Sequence, residues 1–425
     1  GRNPAIWKLL LDKHFRIWKN VDSFINLFNS ITPDKDDQSL MANEIILSFA
    51  NSTNNVSPHT PYHDNYMIPQ IPEAINQKNP DFWDIYEQCS EFINNILMDN
   101  ISNIMKFKFL NLYPQLLKFD YRLKYFRKVA ENRLKMGRTL SLSVSRNDIL
   151  GDSFNQLQSI SSEEWLYKFR VSFKNEYGID CGGLTKEWFT LIIQKIFDPG
   201  FAFFQLTENN TYKPNPFSNI NPNHLDYFSF AGKVVARALL QKECISAHLT
   251  PSFLRLILNT NVRLTDYEDI DKTTYNSLKS ILEHDNVEDL YLNFVTANGD
   301  LDGNKPIPLI ENGEDIDVTN ENKHEYVRLY ADYHLRKSIN DQITAFCNGF
   351  YSIIPLEFIS IFSITELDIL MCGPSKIDIE DMKLHTVYCD PYTLNHPTIQ
   401  MFYRVISKWS HEDLTKLIKF VTGSS

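Results

Sequence analysis

The hydrophobic spacing of this 425-residue chain changes at Gly137, and that change limits the fold more than any single motif does. Upstream, apolar residues recur every three to four positions. Trp7, Leu11, Trp18, Val21, Ile25 and Phe28 form one helical stripe, and helical patterns cover Phe82 to about Met105 and then Leu116 through the string FDYRLKYFRKVAENR. Downstream, Leu140, Leu142 and Val144 alternate, as do Phe169, Val171 and Phe173, which marks two half-buried strands. Between them, Ser161 precedes Glu164 by three residues, the spacing of a capping box that opens a short helix. Helical spacing returns after the glycines of EYGIDCGG, where TKEWFTLIIQKIF turns Leu191, Ile192 and Ile196 inward. A hairpin around Glu208 to Thr211 and a helix from His224 to Leu240 follow. A few short strands set among many helices give a predominantly helical α+β class.

Residues Leu249 to Tyr333 read as a smaller mixed unit. Its helix carries Tyr275, Leu278 and Leu282, its strands alternate at Leu290, Leu292 and Phe294 and at Ile316 and Val318, and Asn298-Gly299 and Asn312-Gly313 make turns. A long helix is expected from Asn320 to about Phe350. Cys372-Gly373-Pro374-Ser375 then interrupts the next helix, and two more run near Thr398 to Trp409 and His411 to Phe420. Residues 52–66 lose periodicity and gain Pro, Asn, Ser and His, so a polar linker is expected there.

Hydrophobic residues at 43% and charged ones at 22% exclude general disorder and rod-like coiled coils. A formal net charge of −11 argues against a surface built to hold nucleic acid. The uncharged stretch Gln342 to Leu356 contains Gln, Asn, Gly and Pro and falls short of the ~20 apolar residues of a membrane span. The six cysteines, Cys89, Cys181, Cys244, Cys347, Cys372 and Cys389, contain no C-x-x-C pair, which points to a reducing compartment and away from a zinc finger or a disulfide framework.

Phosphate-binding glycine loops, G-x-S-x-G and H-E-x-x-H are absent, so nucleotide and metallohydrolase chemistry receive no support. His59 and His63 have i, i+4 spacing but sit in a Pro-containing stretch with no nearby Cys, which is a poor metal site. Cys181 precedes a helix start, where a thiolate would be stabilised. With no histidine near it in sequence, a packing turn is the better reading.

Several strings, in this order and spacing, resemble the HECT family of ubiquitin ligases: DYRLKYFRK (120–128), LSVSRNDILGDSF (142–154), EYGIDCGGLTKEWF (176–189), NPNHLDYFSFAGKVVARAL (221–239), VTNENKHEYVRLYADY (318–333) and FVTGSS (420–425). The resemblance begins near Asp120; upstream, residues 1–117 read only as a helical arm. It implies a bilobal fold: an N-lobe over 118–372 with a docking subdomain at about 249–333, a hinge at 373–375 containing Gly373 and Pro374, and the beginning of a C-lobe over 376–425. The implied partners are a ubiquitin-conjugating enzyme, ubiquitin itself and protein substrates recognised mainly outside this chain; no cofactor, membrane or nucleic acid is implied, and the setting is cytoplasmic or nuclear.

The resemblance maps Leu278, His284, Leu292, Tyr326 and Tyr330 onto the surface that binds the conjugating enzyme. His284 stands where an aromatic is often found. Plain core packing is the competing reading of the set. Arg146, Glu176 and Glu187 fall on polar positions of the family and read as a buried ion-pair network or as a catalytic support, with Ser246 where many relatives have an acid. The family's thioester-forming cysteine lies in a Thr-Cys-Phe context that none of the six cysteines has, so the nucleophile is expected beyond Ser425. A HECT-like adaptor or scaffold that binds a conjugating enzyme without accepting ubiquitin is the alternative function.

Overall fold

A computed structural model describes residue 117 and residues 119–296, 306–373 and 377–422. The arm expected upstream, its linker at 52–66, His59, His63, Cys89, the Asn298-Gly299 turn and Pro374 and Ser375 lie outside the described residues. The chain divides into two units: residues 1–129 with Ile361–Ser363, and Ala130–Ser360 with Ile364–Ser425. In the first, the N-terminal part of helix α1 (Phe119–Arg133) carries Arg122, which donates from Nε to Leu117 O (3.1 Å) and from Nη1 to Ile361 O (2.8 Å). The Phe362 ring packs edge-on against Phe119 and Phe126.

In the second unit, strand β1 (Lys135–Val144) is followed by α2 (Ile149–Leu157) and by β2 (Tyr167–Phe173), which returns parallel to β1 with Leu140 opposite Phe169, Leu142 opposite Val171 and Val144 opposite Phe173. The alternation predicted from sequence is the buried face. The capping box before β2 forms as spaced: Ser161 N donates to a Glu164 carboxylate oxygen and Glu164 N to Ser161 Oγ.

Helix α3 (Gly183–Ile196) starts behind Gly182, which takes a left-handed φ of 114°. Hairpin β3 (Phe204–Leu206) and β4 (Tyr212–Pro214) is antiparallel. Helix α4 (His224–Leu240) is buried on nearly every side from Phe228 onward, as a sequence apolar all round requires. Its Arg237 is 1% exposed, donates to Tyr167 O at 2.8 Å and lies over the Phe169 ring, and burial lowers its pKa to about 10.

The next elements are α5 (Pro251–Ile257), α6 (Lys272–Glu283), β5 (Val295–Thr296), β6 (Ile307–Pro308), α7 (Lys323–Leu335), α8 (Asn340–Ile353) and the short α9 (Leu356–Ile359). Two expectations are corrected here. The single helix from Asn320 to Phe350 is two: Arg336 leaves the helical region (φ −139°, ψ −58°) and a 3-10 turn at Lys337–Ile339 redirects the chain. The break lets α7 serve the small unit and α8 the main body. The strands expected at Leu290–Phe294 and Ile316–Val318 are largely absent as well. Val287–Leu290 is a 3-10 turn and Tyr291 has a left-handed φ of 49°, which ends any extended run. What remains is an Asn293–Asp317 bridge flanked by hydrogen bonds from Phe294 N to Ile316 O and from Val318 N to Leu292 O.

The main body is held at the crossing of α4 and α8. A Cβ on Gly232 would overlap the Phe346 carbonyl oxygen and lie 2.8 Å from Phe350 N, and one on Gly349 would overlap the Ser229 carbonyl oxygen. The two helices therefore meet backbone to backbone, closer than any side chain permits. Phe346 also meets Phe253 of α5, which packs on Phe204 of β3, so the start of the 249–333 stretch belongs to this body.

Helix α10 (Ile364–Cys372) ends at Gly373, whose φ is 84°. Beyond it α11 (Ile379–His385), α12 (Pro397–Ile406) and α13 (His411–Thr422) close a cluster of their own around Tyr403, Ile406 and Leu414.

Overpacking a closed core costs about 1–3 kcal/mol when the structure can shift and more when backbone blocks it. Gly232→Ala is therefore expected to lower unfolding stability by at least ~2 kcal/mol in urea titration. A midpoint equal to the parent's would show that the helices are not in backbone contact.

Candidate functional site

The small unit is built from two apolar clusters that meet at α7. One contains Leu278, Val287, Phe294, Val318, Tyr326, Val327 and Leu329, with Leu292 and Tyr330 partly buried against it; the other contains Tyr267, Ala331 and Leu335. Tyr326 and Tyr330, i, i+4 on α7, share a face as predicted. Their rings are 6.0 Å apart, and the sequence from Phe294 through Tyr326, Tyr330 and His334 is continuous ring contact.

Acids root this unit in the main body. Asp269 accepts hydrogen bonds from Asn209 Nδ2 (3.0 Å) and Thr211 Oγ1 (2.6 Å) of the β3–β4 turn. Asp271 caps α6 through Thr274 N at 2.9 Å. Asp266, buried, takes both oxygens to Arg255 Nε of α5 (3.0 and 2.9 Å) and accepts from Arg263 N at 2.7 Å. Removing one partner from so enclosed a pair strands a charge.

The five docking candidates divide. Leu278 and Tyr326 are only 3% and 5% exposed, so the core reading holds for both, and burial pushes the Tyr326 phenol up to about 12. Leu292 and Tyr330 stay partly open on the same cluster, and beside Leu292 in the chain Tyr291, which the sequence pattern did not single out, is 89% exposed. His284 is outside both clusters. It ends α6, accepts from Asn286 N at its Nδ1, and its carbonyl takes the Lys323 ammonium at 2.7 Å, tying the end of α6 to the start of α7.

Arg146, Glu176 and Glu187 do come together. The guanidinium meets Glu176 through Nε and Nη2 and Glu187 through Nη1 (2.7 Å), and stacks 4.1 Å from the Phe173 ring centroid. These hydrogen bonds raise the Arg146 pKa and lower that of Glu176. The expectation of a buried network is corrected, because each side chain is about 40% exposed and solvent screens the pair. Ser246 is exposed.

The turn at Cys181 is a packing turn, tied by its neighbour Asp180. Its carboxylate accepts from Val171 N and Gly182 N (2.8 Å each) and from Thr185 Oγ1, joining the edge of β2 to the start of α3. Burial opposes its charge, and these hydrogen bonds still hold the pKa below the usual carboxylate value. Cys181 and Cys389 are exposed, and Cys347 is buried with its thiol pushed up to about 11 by burial.

The family model described as HECT-domain (ubiquitin-transferase) matches residues 190–425. The chain is 35% identical over 354 residues to the E3 ubiquitin-protein ligase TOM1-like of Neurospora crassa, covering 81% of this chain and 9% of that protein. It is 37% identical over 353 residues to the E3 ubiquitin-protein ligase UPL2 of Arabidopsis thaliana, covering 80% and 10%, and 37% over 341 residues to the E3 ubiquitin-protein ligase HUWE1 of Mus musculus, covering 78% and 8%. The chain thus spans about a tenth of the length of these relatives.

His334 closes the ring sequence and bonds Thr296 Oγ1 through Nε2 at 2.7 Å. Burial above all, with the Lys213 ammonium beside it and Asp271 opposing, lowers its pKa to about 4. An unfolded histidine takes its proton near 6.5, so the unfolded chain binds more protons between about 6.5 and 4. His334 should then cost nothing above that window, destabilise progressively as pH falls through it, and add nothing below. Thermal melts of the parent and His334→Gln across pH 7 to 4 check this: the parent should lose more, and parallel curves would contradict it.

Proposed function

The chain belongs to the HECT-domain family, and from that premise we propose that it is the part of a ubiquitin-protein ligase that docks a charged ubiquitin-conjugating enzyme. The observation that carries this reading is the family match across 190–425, which takes in the whole small unit with Leu292 and Tyr330 left partly open on it. Leu278 and Tyr326 act from beneath by holding α6 and α7 together; Tyr330, Leu292 and Tyr291 meet the partner. A transient contact of this kind suits micromolar affinity, on the order of −8 kcal/mol.

In the complete ligase two acyl transfers follow. A ligase thiolate attacks the thioester carbonyl, its C–S bond forms as the conjugating enzyme's breaks, and that enzyme's thiolate leaves. A substrate lysine amine then attacks the new thioester, forms an isopeptide and expels the ligase thiolate, with one proton passing from nitrogen to solvent or base. Exchanging one thioester for another has little driving force, so the protein's contribution is placement of the sulfurs. A bilobal arrangement with Gly373 at its hinge would supply that placement. The left-handed Gly373 backbone and the separate cluster around Tyr403 and Ile406 support it. The nucleophile is assigned to a cysteine outside the six of this sequence, and a cytoplasmic or nuclear setting goes with the reading.

Mixing the chain with a ubiquitin-charged conjugating enzyme tests both halves. No thiol-reducible ubiquitin adduct of the chain should form; one that does would put the nucleophile among its own cysteines. Tyr330→Ala should weaken binding by about thirtyfold, on the order of 2 kcal/mol, while staying folded with a smaller loss of melting temperature than Tyr326→Ala, which should lose fold and binding together. Parent-like affinity in Tyr330→Ala would refute the docking face.

A further inference from the structure

Three side chains able to ligate a metal converge where α10 ends at the Gly373 turn. His248 comes from the segment after α4; Asp368 and Cys372 are i, i+4 on α10 and share a face. His248 Nδ1 stands 3.1 Å from each Asp368 carboxylate oxygen, and one ligand atom from each of the three residues lies within 4.8 Å of the others. Among the described residues this is the one place where three such groups come so close.

The frame beneath them is already tied. Ile245 N donates to Met371 O at 2.8 Å, and the Cys372 thiol donates to Ala247 O at 3.5 Å. The segment carrying His248 and the helix carrying the other two ligands are thus fixed against each other before any ion arrives. His248 is about half exposed and Asp368 less so, which leaves one side open to solvent.

In tetrahedral zinc sites, bonds of about 2.0–2.2 Å to nitrogen and oxygen and about 2.3 Å to sulfur put neighbouring ligand atoms roughly 3.3–3.6 Å apart. The nitrogen and oxygen, 3.1 Å apart, stand slightly closer than that, and the sulfur lies within 4.8 Å of both. We propose that His248, Asp368 and Cys372 bind a divalent transition-metal ion, Zn2+ by the chemistry of the donors, with water in the fourth position.

On binding, the proton that His248 Nδ1 shares with Asp368 is given up, the ring keeping a single hydrogen on Nε2 and any second proton going to solvent, and a nitrogen–metal and a metal–oxygen bond replace the hydrogen bond. The Cys372 sulfur binds as thiolate and its proton goes to solvent; the ion supplies the charge that lets an enclosed thiol ionise. Three protein ligands and an open fourth position make this an exchangeable site rather than a closed structural one. Its position would pin the end of α10 to the segment after α4, one residue before the backbone turns at Gly373.

Titration of the metal-stripped chain with ZnCl2 in a calorimeter, and with CoCl2 in a spectrophotometer, tests the site. One equivalent should bind, with cobalt giving a sulfur-to-metal charge-transfer band and tetrahedral ligand-field bands. Cys372→Ser should abolish the charge-transfer band, and His248→Gln, a half-exposed change that leaves the fold intact, should weaken zinc binding at least tenfold. Cys181→Ser and Cys389→Ser should keep both signals. Absence of one-equivalent binding would overturn the proposal, and so would binding unchanged in either His248→Gln or Cys372→Ser, which would assign the metal to other groups. Zinc should also raise the melting temperature of the parent and leave that of His248→Gln unmoved.

Discussion

The backbone contacts that Gly232 makes with Phe346 and Phe350, and Gly349 with Ser229, are the constraint from which the rest of the main body follows. Because α4 and α8 meet with no side chain between them, their register and crossing are fixed more tightly than interdigitating side chains would fix them. Everything around the candidate site hangs from these two helices. Helix α8 continues α7 across the turn at Arg336, so the wall carrying Tyr330 is placed by the helix carrying Gly349. The segment after α4 bonds to the end of α10 through Ile245 and Met371, and so sets where the chain reaches Gly373.

The small unit is attached by a different kind of interaction. Asp266, Asp269 and Asp271 each spend their oxygens on groups that lock a turn or a helix start: Arg255, the β3–β4 turn and Thr274. Directional bonds at the root and an apolar cluster further out make a unit that keeps its own core while staying oriented to the body. That division explains the split among the docking candidates. Leu278 and Tyr326 hold α6 to α7 from inside, and Tyr330, one turn along α7, and Leu292, beside the Asn293–Asp317 bridge, are left partly open.

Where spacing alone determines burial, sequence was a sufficient guide. The alternation through Leu142, Val144, Phe169, Val171 and Phe173 became a parallel pair, and His224–Leu240 is a helix with those ends. The Ser161–Glu164 box closed as its spacing required. Long-range geometry was less legible. Nothing local in Asn320–Phe350 marks Arg336 as a break, because the need for one arises from two cores lying in different directions. Gly232 and Gly349 did carry a signal: a glycine inside an apolar helical run costs about 1 kcal/mol against alanine, and a close backbone neighbour is the usual reason to keep it. Asp180 was hidden by the thiol beside it. Arg146, Glu176 and Glu187 were found as a group, yet their exposure depends on how β2 and α3 present them, which pattern does not encode.

The most direct test of a rigid body carrying a separate docking face is hydrogen exchange, residue by residue, with and without a charged conjugating enzyme. Amides of α4 and α8 should be the slowest in both conditions, because they open only when the body unfolds. Those of α6, of residues 287–294 and of α7 should slow when the partner is added. Protection gained on other elements and none on α6 or α7, or α4 exchanging faster than α7 in the free chain, would contradict it.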